Sequence, residues 1–599
     1  MTDELTYGRE TVQVVEIEQP RCVNRFGVSP CTAVGTPKCY QTFFTCLDRE
    51  NYDGTGSIKW RFCRPQDQIR WTYEETDANN IATNCYPMVR SVSTTSSRIN
   101  VGASRSGESP LGTRASVTIQ MQDTPWDDHV GDFYLSDRTP PAKQPGFWAL
   151  WVVRNPLYPN IKIRVYEGYK GQALDDMQVR LYDLESVDGP DASGRVTIRG
   201  RDPLDKARGK KAKFPTTSQI DLAANIDDST TTVPVTCLES ELDAEFGNTG
   251  ARKWVAIGSE IILYTGYTGT EPDLTLSGVE RGALGTTAEE HSDGDAVQRV
   301  GRYENLEPYK IQEDLLKNHT EVNNSYVNAS GQWDEEGDKF LATIKATVTI
   351  PEPKAIDDLS GELCRDGLFS IWWDERLQRI PLLAVRPPRE TPVVWTNGLN
   401  ILEGSFSLSR KPDDRMTRVS VFFNQRDPFE ALDSPENYES RRVRVDGEVE
   451  LPAASGGEII ENTIFSRWIN TFGNALLVGA SQLQRYRLPP QYVTVSVDAK
   501  NRSIKIGDVV DVEVPTLIDT EGNPVQTRWQ VIMAEETRPG ETIRCELQSY
   551  NYVGKFAIIM ANDAPSYADA TEEERLSGCW LADDVTGLMP DGTQPYLLQ

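Results

Sequence analysis

YVTVSVDAKNRSIKIGDVVDVEV, residues 492–514, decides the fold class. Val493, Val495 and Val497 alternate with Thr494, Ser496 and Asp498, and Val510, Val512 and Val514 alternate with Asp511 and Glu513. A period of two puts every second side chain on one face, so the stretch predicts two half-buried strands flanking a turn at Gly507 and Asp508. The same pattern recurs upstream. Val117, Ile119 and Met121 alternate with Thr118 and Gln120, then Ile161, Ile163 and Val165 follow the apolar run Trp148 to Val153. RMTRVSVFFN, residues 415–424, alternates Val419, Val421 and Phe423, and Val443 and Val445 begin another strand. The chain is predicted to be mainly β with some α, an α+β protein of several domains.

Helical spacing is rarer. Ala355, Ile356, Leu359 and Leu363 fall on one stripe, followed by strand-like Leu368 to Trp373, a turn at Asp374 to Arg376 and strand-like Ile380 to Val385. A longer helix is predicted over 462–486, with Ile464, Trp468, Phe472, Ala475, Leu476, Gly479 and Leu483 on its apolar stripe and Asn462 as its cap. It must stop before Pro489 and Pro490. Within 216–302, Trp254 to Ile257 and Glu260 to Tyr264 read as short strands parted by Gly258, an inserted small barrel-like β module. RGRDPLDKARGKKAKFP, residues 199–215, reads as a linker or a short helix between turns.

The organisation that follows is an N-terminal strand over 1–20, a Cys-rich module over 21–85 and a β-rich domain over 86–215. The small β module over 216–302 comes next, then a helix-strand-strand domain over 303–395, a β-rich domain over 396–550 and a C-terminal arm over 551–599. At 599 residues the chain is long enough for about four domains. Its 62 Lys and Arg against 90 Asp and Glu leave a net charge of −28, which argues against a broad grip on nucleic-acid phosphates. With 38% hydrophobic residues and 13 Trp it has the apolar mass to fold. No apolar run approaches the length of a membrane span, and MTDELTYGRE lacks the basic and apolar regions of a secretory signal. Synthesis and folding in a reducing cytosol are expected, which disfavours structural disulfides among the ten Cys.

CVNRFGVSPCTAVGTPKCYQTFFTC, residues 22–46, holds the strongest chemical constellation. Cys22, Cys31, Cys39 and Cys46 sit among Gly27, Pro30, Gly35 and Pro37, which let a loop fold back around a centre. Four thiolates from one loop suit a cubane iron-sulfur cluster or a tetrahedral zinc, and reduced buried thiols are the plain alternative. Intervening gaps of eight, seven and six residues differ from the paired C-x-x-C knuckles of structural zinc. Cys63 and Cys85 are reserve ligands or small core residues, while Cys237, Cys364, Cys545 and Cys579 stand singly.

No Walker loop, G-x-S-x-G elbow, H-E-x-x-H or EF-hand loop occurs, and His129, His291 and His319 stand in no nucleophile or metal motif. Asp127 with Asp128, Asp374 with Glu375, and the acids between Asp334 and Asp338 have the composition of a glycosidase pair, but 90 acids generate such clusters by number alone. The expectation is that the chain is not an enzyme. The basic run Arg208, Lys210, Lys211 and Lys213 fits a contact with an acidic neighbouring subunit.

The 22–46 stretch resembles the Cys-rich N-terminal motif, C…G-x-x-P-C…C-(Y/F)-x-T…T-C, of tail hub proteins of long-tailed, siphovirus-type bacteriophages. IRGRDPLDKARGKKAKFPTTSQIDL is similar to a second segment of those hubs, and VAIGSEIILYTGYTG with LTLSGVERGALGTTAEEHSDGDAV resembles a small β module inserted in many phage tail proteins. LFSIWWDERLQRIPLLAVRPP, RMTRVSVFFNQRDP and the 492–514 region resemble the hub body, so the likeness touches most of residues 20–550. It implies a virion structural protein, a homotrimeric baseplate hub at the tail tip, assembled in the host bacterial cytoplasm. It further implies a 4Fe-4S cluster, alternatively zinc, on Cys22, Cys31, Cys39 and Cys46. The implied partners are the distal tail protein, the tape measure protein, and a central fibre or other baseplate proteins, with phage DNA passing through the lumen without specific binding and no stable membrane insertion; the net charge of −28 motivates the hypothesis that this lumen is acidic. Two other classes compete: a glycan-binding or glycan-degrading β protein acting on the host surface, and a soluble electron carrier.

Overall fold

The computed structural model describes residues 10–35, 39–67, 85–103, 108–126, 145–158, 161–170, 172–209, 212–386, 392–498, 503–538, 541–550, 569–571 and 575. The fold is mainly β with some helix, as the alternation predicts.

The first half of the chain builds an eight-stranded sheet. In chain order its strands are β1 (Thr11–Arg21), β2 (Gly56–Cys63), β3 (Cys85–Tyr86), β4 (Val89–Thr95), β5 (Ser116–Gln122), β6 (Lys162–Tyr169), β7 (Gln178–Asp188) and β8 (Arg195–Arg201). Their spatial order is β3-β2-β1-β6-β7-β8-β5-β4. Val15, Ile17, Phe62, Val117, Ile119, Met121, Ile163 and Val165 face one large core, onto which the helix α1 (Phe147–Arg154) packs Phe147, Trp148 and Trp151. The densest apolar run is therefore a helix. Val12, Val14, Cys63, Tyr166, Leu174 and Met177 form a smaller cluster. Glu16 is fully buried there, and cross-strand register supplies its partners: Arg61 lies 2.8 Å away and Arg164 3.2 Å away.

The 199–215 stretch is not a linker. Arg199 and Arg201 lie on β8, Pro203–Ala207 forms a short 3-10 helix, and Lys213–Phe214 pairs with Lys354–Ala355. Among its described residues, Arg199, Arg201, Asp205, Lys206 and Lys213 sit on regular elements, and Arg208 lies in a bend between them.

Within 216–302 the strands form two sheets, four-stranded and three-stranded, over one core of Leu222, Val233, Val235, Val255, Ile262, Leu276 and their neighbours. They do not close into a ring. One buried carboxylate fastens this unit: Glu260 accepts from Arg281 Nε at 2.7 Å and Nη2 at 2.8 Å. It also accepts from the backbone of Gly282 at 2.8 Å and Glu289 at 3.1 Å, and His291 Nε2 lies 2.8 Å from it. Burial opposes its ionisation, but the Arg281 fork and the surrounding donors outweigh burial and hold Glu260 at about 2.

The helix predicted over 355–363 is present as Ile356–Asp366. The long helix is shorter than its stripe. It spans Phe472–Tyr486 and is capped by Thr471, whose Oγ1 accepts from Asn474 N at 3.3 Å. Asn462 is no cap, because Glu461–Phe465 is a strand pairing in parallel with Arg418–Phe422. Ile464 and Trp468 keep helical spacing yet reach the core from that strand and the turn after it. A six-stranded sheet closes the body, in the order Val393–Thr396, Val509–Glu513, Thr527–Arg538, Thr542–Ser549, Gln491–Asp498, Ser407–Arg410.

Long-range ion pairs join these parts. Arg180 on β7 is fully buried, with Glu167 at 3.0 Å, Glu375 at 3.4 Å and Glu536 at 3.5 Å, and Arg376 also reaches Glu536 at 3.2 Å. The eight-stranded sheet, the Asp374–Arg376 turn and the long strand Thr527–Arg538 thus share one charged knot. The large apolar core likewise runs from Val15 to Tyr486, and residues 215–302 touch it through Phe246, which packs on Phe214. Among the described residues no helix is long and apolar enough to cross a membrane.

Candidate metal centre

The four-thiol loop leaves the sheet at the end of β1 and returns at the start of β2. Gly56 pairs with Arg21, and a Cβ there would sit 2.9 Å from the Arg21 carbonyl oxygen, so this closure needs glycine. Cys22 N then donates to Gln41 O at 2.9 Å, joining the first thiol to the third. Gln41 adopts the left-handed conformation at φ 59°, an uncommon one for a side chain of this size. Its backbone N–H points at Cys39 Sγ, 3.4 Å away, and its side-chain amide returns to Cys22 O at 3.4 Å.

Cys46 follows the 3-10 turn Phe43–Thr45 and accepts the Asp48 N–H at 3.4 Å. Asp48 is the second organiser. It accepts from Thr32 N at 2.6 Å, Thr32 Oγ1 at 3.0 Å and Asn51 Nδ2 at 3.1 Å, clamping the arm after Cys31 to the arm after Cys46. The Thr32 N–H holds the Asp48 carboxyl below the usual carboxylate range. Aromatic rings complete the loop. Phe43 meets Tyr52 edge-on at 5.4 Å, and the Arg154 guanidinium of α1 lies 3.8 Å over Tyr40, beside the bond from Thr42 Oγ1 to Arg154 O at 2.9 Å.

Burial raises the Cys39 thiol, and thiolates at Cys46, Cys22 and Cys31 each raise it further. Cys46 is raised by burial and by Cys22 and Cys31. Burial pushes the Tyr52 hydroxyl up to about 12, helped by Cys22, Cys46 and Cys39.

Among the described residues no three Cys, His, Asp or Glu side chains converge as a cage for one ion. Tetrahedral zinc, with bonds of about 2.3 Å, would hold its sulfurs about 3.8 Å apart. A cubane cluster is several atoms across and spreads its thiolates wider. The donor set fits such a group: four thiols, two of them accepting backbone N–H bonds of the kind that tune cluster sulfurs.

Cys63 and Cys85 stand apart from this set. Their thiols hydrogen-bond each other, and the strongest charges on Cys85 are Cys63, Arg61 and Asp67. Cys237, Cys364 and Cys545 are buried singly, and Cys579 lies outside the described residues. Gln41, Asp48 and Tyr52 carry no sequence signal that marks them as loop organisers, apart from the turn-forming character of Asp48.

The other singled-out residues have structural partners. His291 holds Glu260, and His319 stacks on Phe246 at 5.4 Å with Asp314 3.5 Å away. Asp334 accepts from Asn328, Asp338 accepts from the Tyr309 hydroxyl at 2.7 Å, and Asp374 accepts from Arg376 N at 3.0 Å. Glu375 belongs to the Arg180 knot. Asp127, Asp128 and His129 lie outside the described residues, as do Lys210 and Lys211 of the basic run. Of that run, Arg208 is exposed and Lys213 is in the short strand already described.

No protein-family model matches the chain, and no curated protein matches it. Among solved structures, the 43 kDa tail protein of prophage MuSo2 from Shewanella oneidensis is 9% identical, over 77% of this chain and 97% of that one, with a TM-score of 0.30. A tail protein from Neisseria meningitidis is 10% identical over 73% of this chain and 88% of its own, with a TM-score of 0.30. Prophage tail protein gp18 from Listeria monocytogenes is 9% identical over 77% and 88%, with a TM-score of 0.28. Overlaps this loose assign neither fold nor role.

Proposed function

We propose that the chain is a structural protein of a long-tailed phage virion, a homotrimeric hub at the tail tip that holds an iron-sulfur cluster on Cys22, Cys31, Cys39 and Cys46. The four-thiol loop carries this reading: the segment whose motif resembles tail hubs joins β1 to β2 and aims backbone N–H groups at the Cys39 and Cys46 sulfurs. A bound cluster supplies iron-thiolate bonds that crosslink the loop. The chain's own residues do the rest: Gln41 and Asp48 orient the Cys39 and Cys46 sulfurs, and Gly56 lets β2 close against Arg21.

The body suits an assembly part. Buried ion pairs fix its sheets to one another, and its net charge of −28 would let DNA pass a central channel without counterion-release binding. The distal tail protein, tape measure protein and a central fibre are the partners this reading assigns, in a virion assembled in the host cytoplasm.

The test is native mass spectrometry together with iron, zinc and acid-labile sulfide analysis of protein purified without oxygen. Three chains with stoichiometric iron and sulfide, lost in Cys31→Ser, support the proposal. A monomer overturns the homotrimer, and zinc without sulfide overturns the cluster.

A further inference from the structure

Cys63 and Cys85 take no part in the metal loop, yet the first sheet sets them together. β2 and β3 pair in parallel, with Arg61 opposite Cys85 and Phe62 opposite Tyr86. Phe62 and Tyr86 turn to the large core, their ring centroids 6.1 Å apart. Side chains alternate along a strand, so Cys63, which follows Phe62, and Cys85, which precedes Tyr86, both turn to the other face. There they join Val12, Val14, Tyr166, Leu174 and Met177 in one apolar cluster. Cys63 ends β2, Cys85 begins β3, and the thiols of this diagonal pair hydrogen-bond each other.

Position and access complete the arrangement. β3 is a two-residue strand at the edge of the eight-stranded sheet, and β2 is its neighbour there. A bond between the two sulfurs would therefore fasten the shortest strand of the sheet to the body. Cys63 is only 1% exposed, whereas Cys85 is part-buried, so a reagent from solvent meets Cys85 first.

We propose that Cys63 and Cys85 are a redox modification site, which a small-molecule disulfide of the glutathione class converts to an intrachain disulfide stapling β3 to β2. The Cys85 sulfur attacks one sulfur of the reagent, whose S–S bond breaks and releases one thiol. The Cys63 sulfur then attacks the mixed disulfide on Cys85, forms the Cys63–Cys85 bond and expels the second thiol. The two cysteines lose two electrons to the reagent, and their two protons leave on the two released thiols. Passing from thiol contact to an S–S bond of about 2 Å draws the start of β3 toward β2, so the bond is one that reductant reopens. A reducing compartment keeps the pair as thiols, and an oxidising medium closes it. The proposal depends on neither the cluster nor the homotrimer.

The folded full chain is incubated with oxidised glutathione, its remaining thiols are blocked with N-ethylmaleimide in denaturant, and tryptic peptides are mapped without reductant. Residues 62–70 should be joined to residues 71–90 through Cys63 and Cys85, while Cys364 and Cys545, buried singly, are recovered as blocked thiols. Oxidation should slow amide exchange over residues 85–90 by about tenfold or more, and dithiothreitol should restore it. Cys63→Ser should retain glutathione on Cys85, because no second thiol displaces it, with bound iron equal to wild type. Cys85→Ser, at the more accessible position, should form neither the bond nor the adduct. Recovery of both Cys63 and Cys85 as blocked thiols after oxidation overturns the proposal, as does a bond from either to Cys22, Cys31, Cys39 or Cys46. Iron lost in Cys63→Ser also overturns it, since Cys63 would then serve the metal loop. A wild type without iron that still forms the Cys63–Cys85 bond supports the proposal and sinks only the cluster.

Discussion

Glu260→Gln removes one negative charge and no volume from the 216–302 unit, whose fastening it should test directly. Glu260 has no solvent-exposed side-chain surface and accepts from both Arg281 donors and two backbone N–H groups, with His291 alongside. Gln keeps one acceptor and turns the other into a donor, which then faces Arg281, Glu289 N or His291. Two routes give the size of the loss. A carboxyl lowered from 4.5 to about 2 contributes about 3 kcal/mol of stability. Breaking a buried ion pair on one side costs about 3–5 kcal/mol. The assay is amide hydrogen exchange by mass spectrometry on peptides covering 253–264 and 286–299. Local opening that is easier by about 3 kcal/mol speeds exchange there by about a hundredfold and leaves the eight-stranded sheet unchanged. The pH dependence has a definite sign. Because the folded carboxyl is depressed, its stabilisation is present above the unfolded value of 4.5 and is lost as pH falls toward 2; the variant lacks that loss. Protection within fivefold of wild type at pH 7 would refute the reasoning, since it would mean the carboxylate is not what fastens the unit.

Asp48→Ala removes the acceptor that ties Thr32 and Asn51 together, so a cluster bound as proposed should lose iron to a chelator about tenfold faster or more while the iron bound at saturation stays the same; unchanged release, followed by absorbance, would exclude a clamping role. Asp202 is pushed up to about 6 by burial, against the pull of Arg114 3.7 Å away. Its folded value lies above the unfolded 3.8, so stability should rise as pH falls from about 7 toward 4, by about 3 kcal/mol at most. Asp202→Asn should raise the denaturation midpoint at pH 7 and flatten that rise; a lowered midpoint would count against it. Arg180→Met leaves Glu167, Glu375 and Glu536 buried without their shared cation and should cost about 3–5 kcal/mol in thermal unfolding, with a midpoint within a degree of wild type as the contrary result.

Period-two stretches were legible wherever one face of a strand is buried: Val493 to Val497, Val117 to Met121 and Val419 to Phe423 are strands as read. Boundaries failed where two periods coincide. Ile464 and Trp468 keep helical spacing ahead of Phe472, but parallel pairing with Arg418–Phe422 makes 461–465 a strand, and pairing between distant segments leaves no local mark. The four Cys were legible because thiols in one loop are rare. Gln41 was not, because a left-handed residue held by its neighbours looks in sequence like any polar loop residue. Nor was the Arg180 knot, whose members stand up to 369 positions apart, Glu167 to Glu536, and read singly as surface charge.

Recombination between related genes would meet these features as unequal barriers. The 216–302 stretch carries its own core and its own buried carboxylate, so an exchange with breakpoints near Phe214 and Gly301 transfers that core intact and asks of the recipient chiefly a match for Phe246 against Phe214 and His319. A breakpoint between 181 and 535 on one side only would separate Arg180 from Glu536 and give the hybrid a buried charge evolved against another partner. Mosaic descendants should therefore inherit the first sheet and the long strand Thr527–Arg538 from the same parent, while the 216–302 unit is free to come from another.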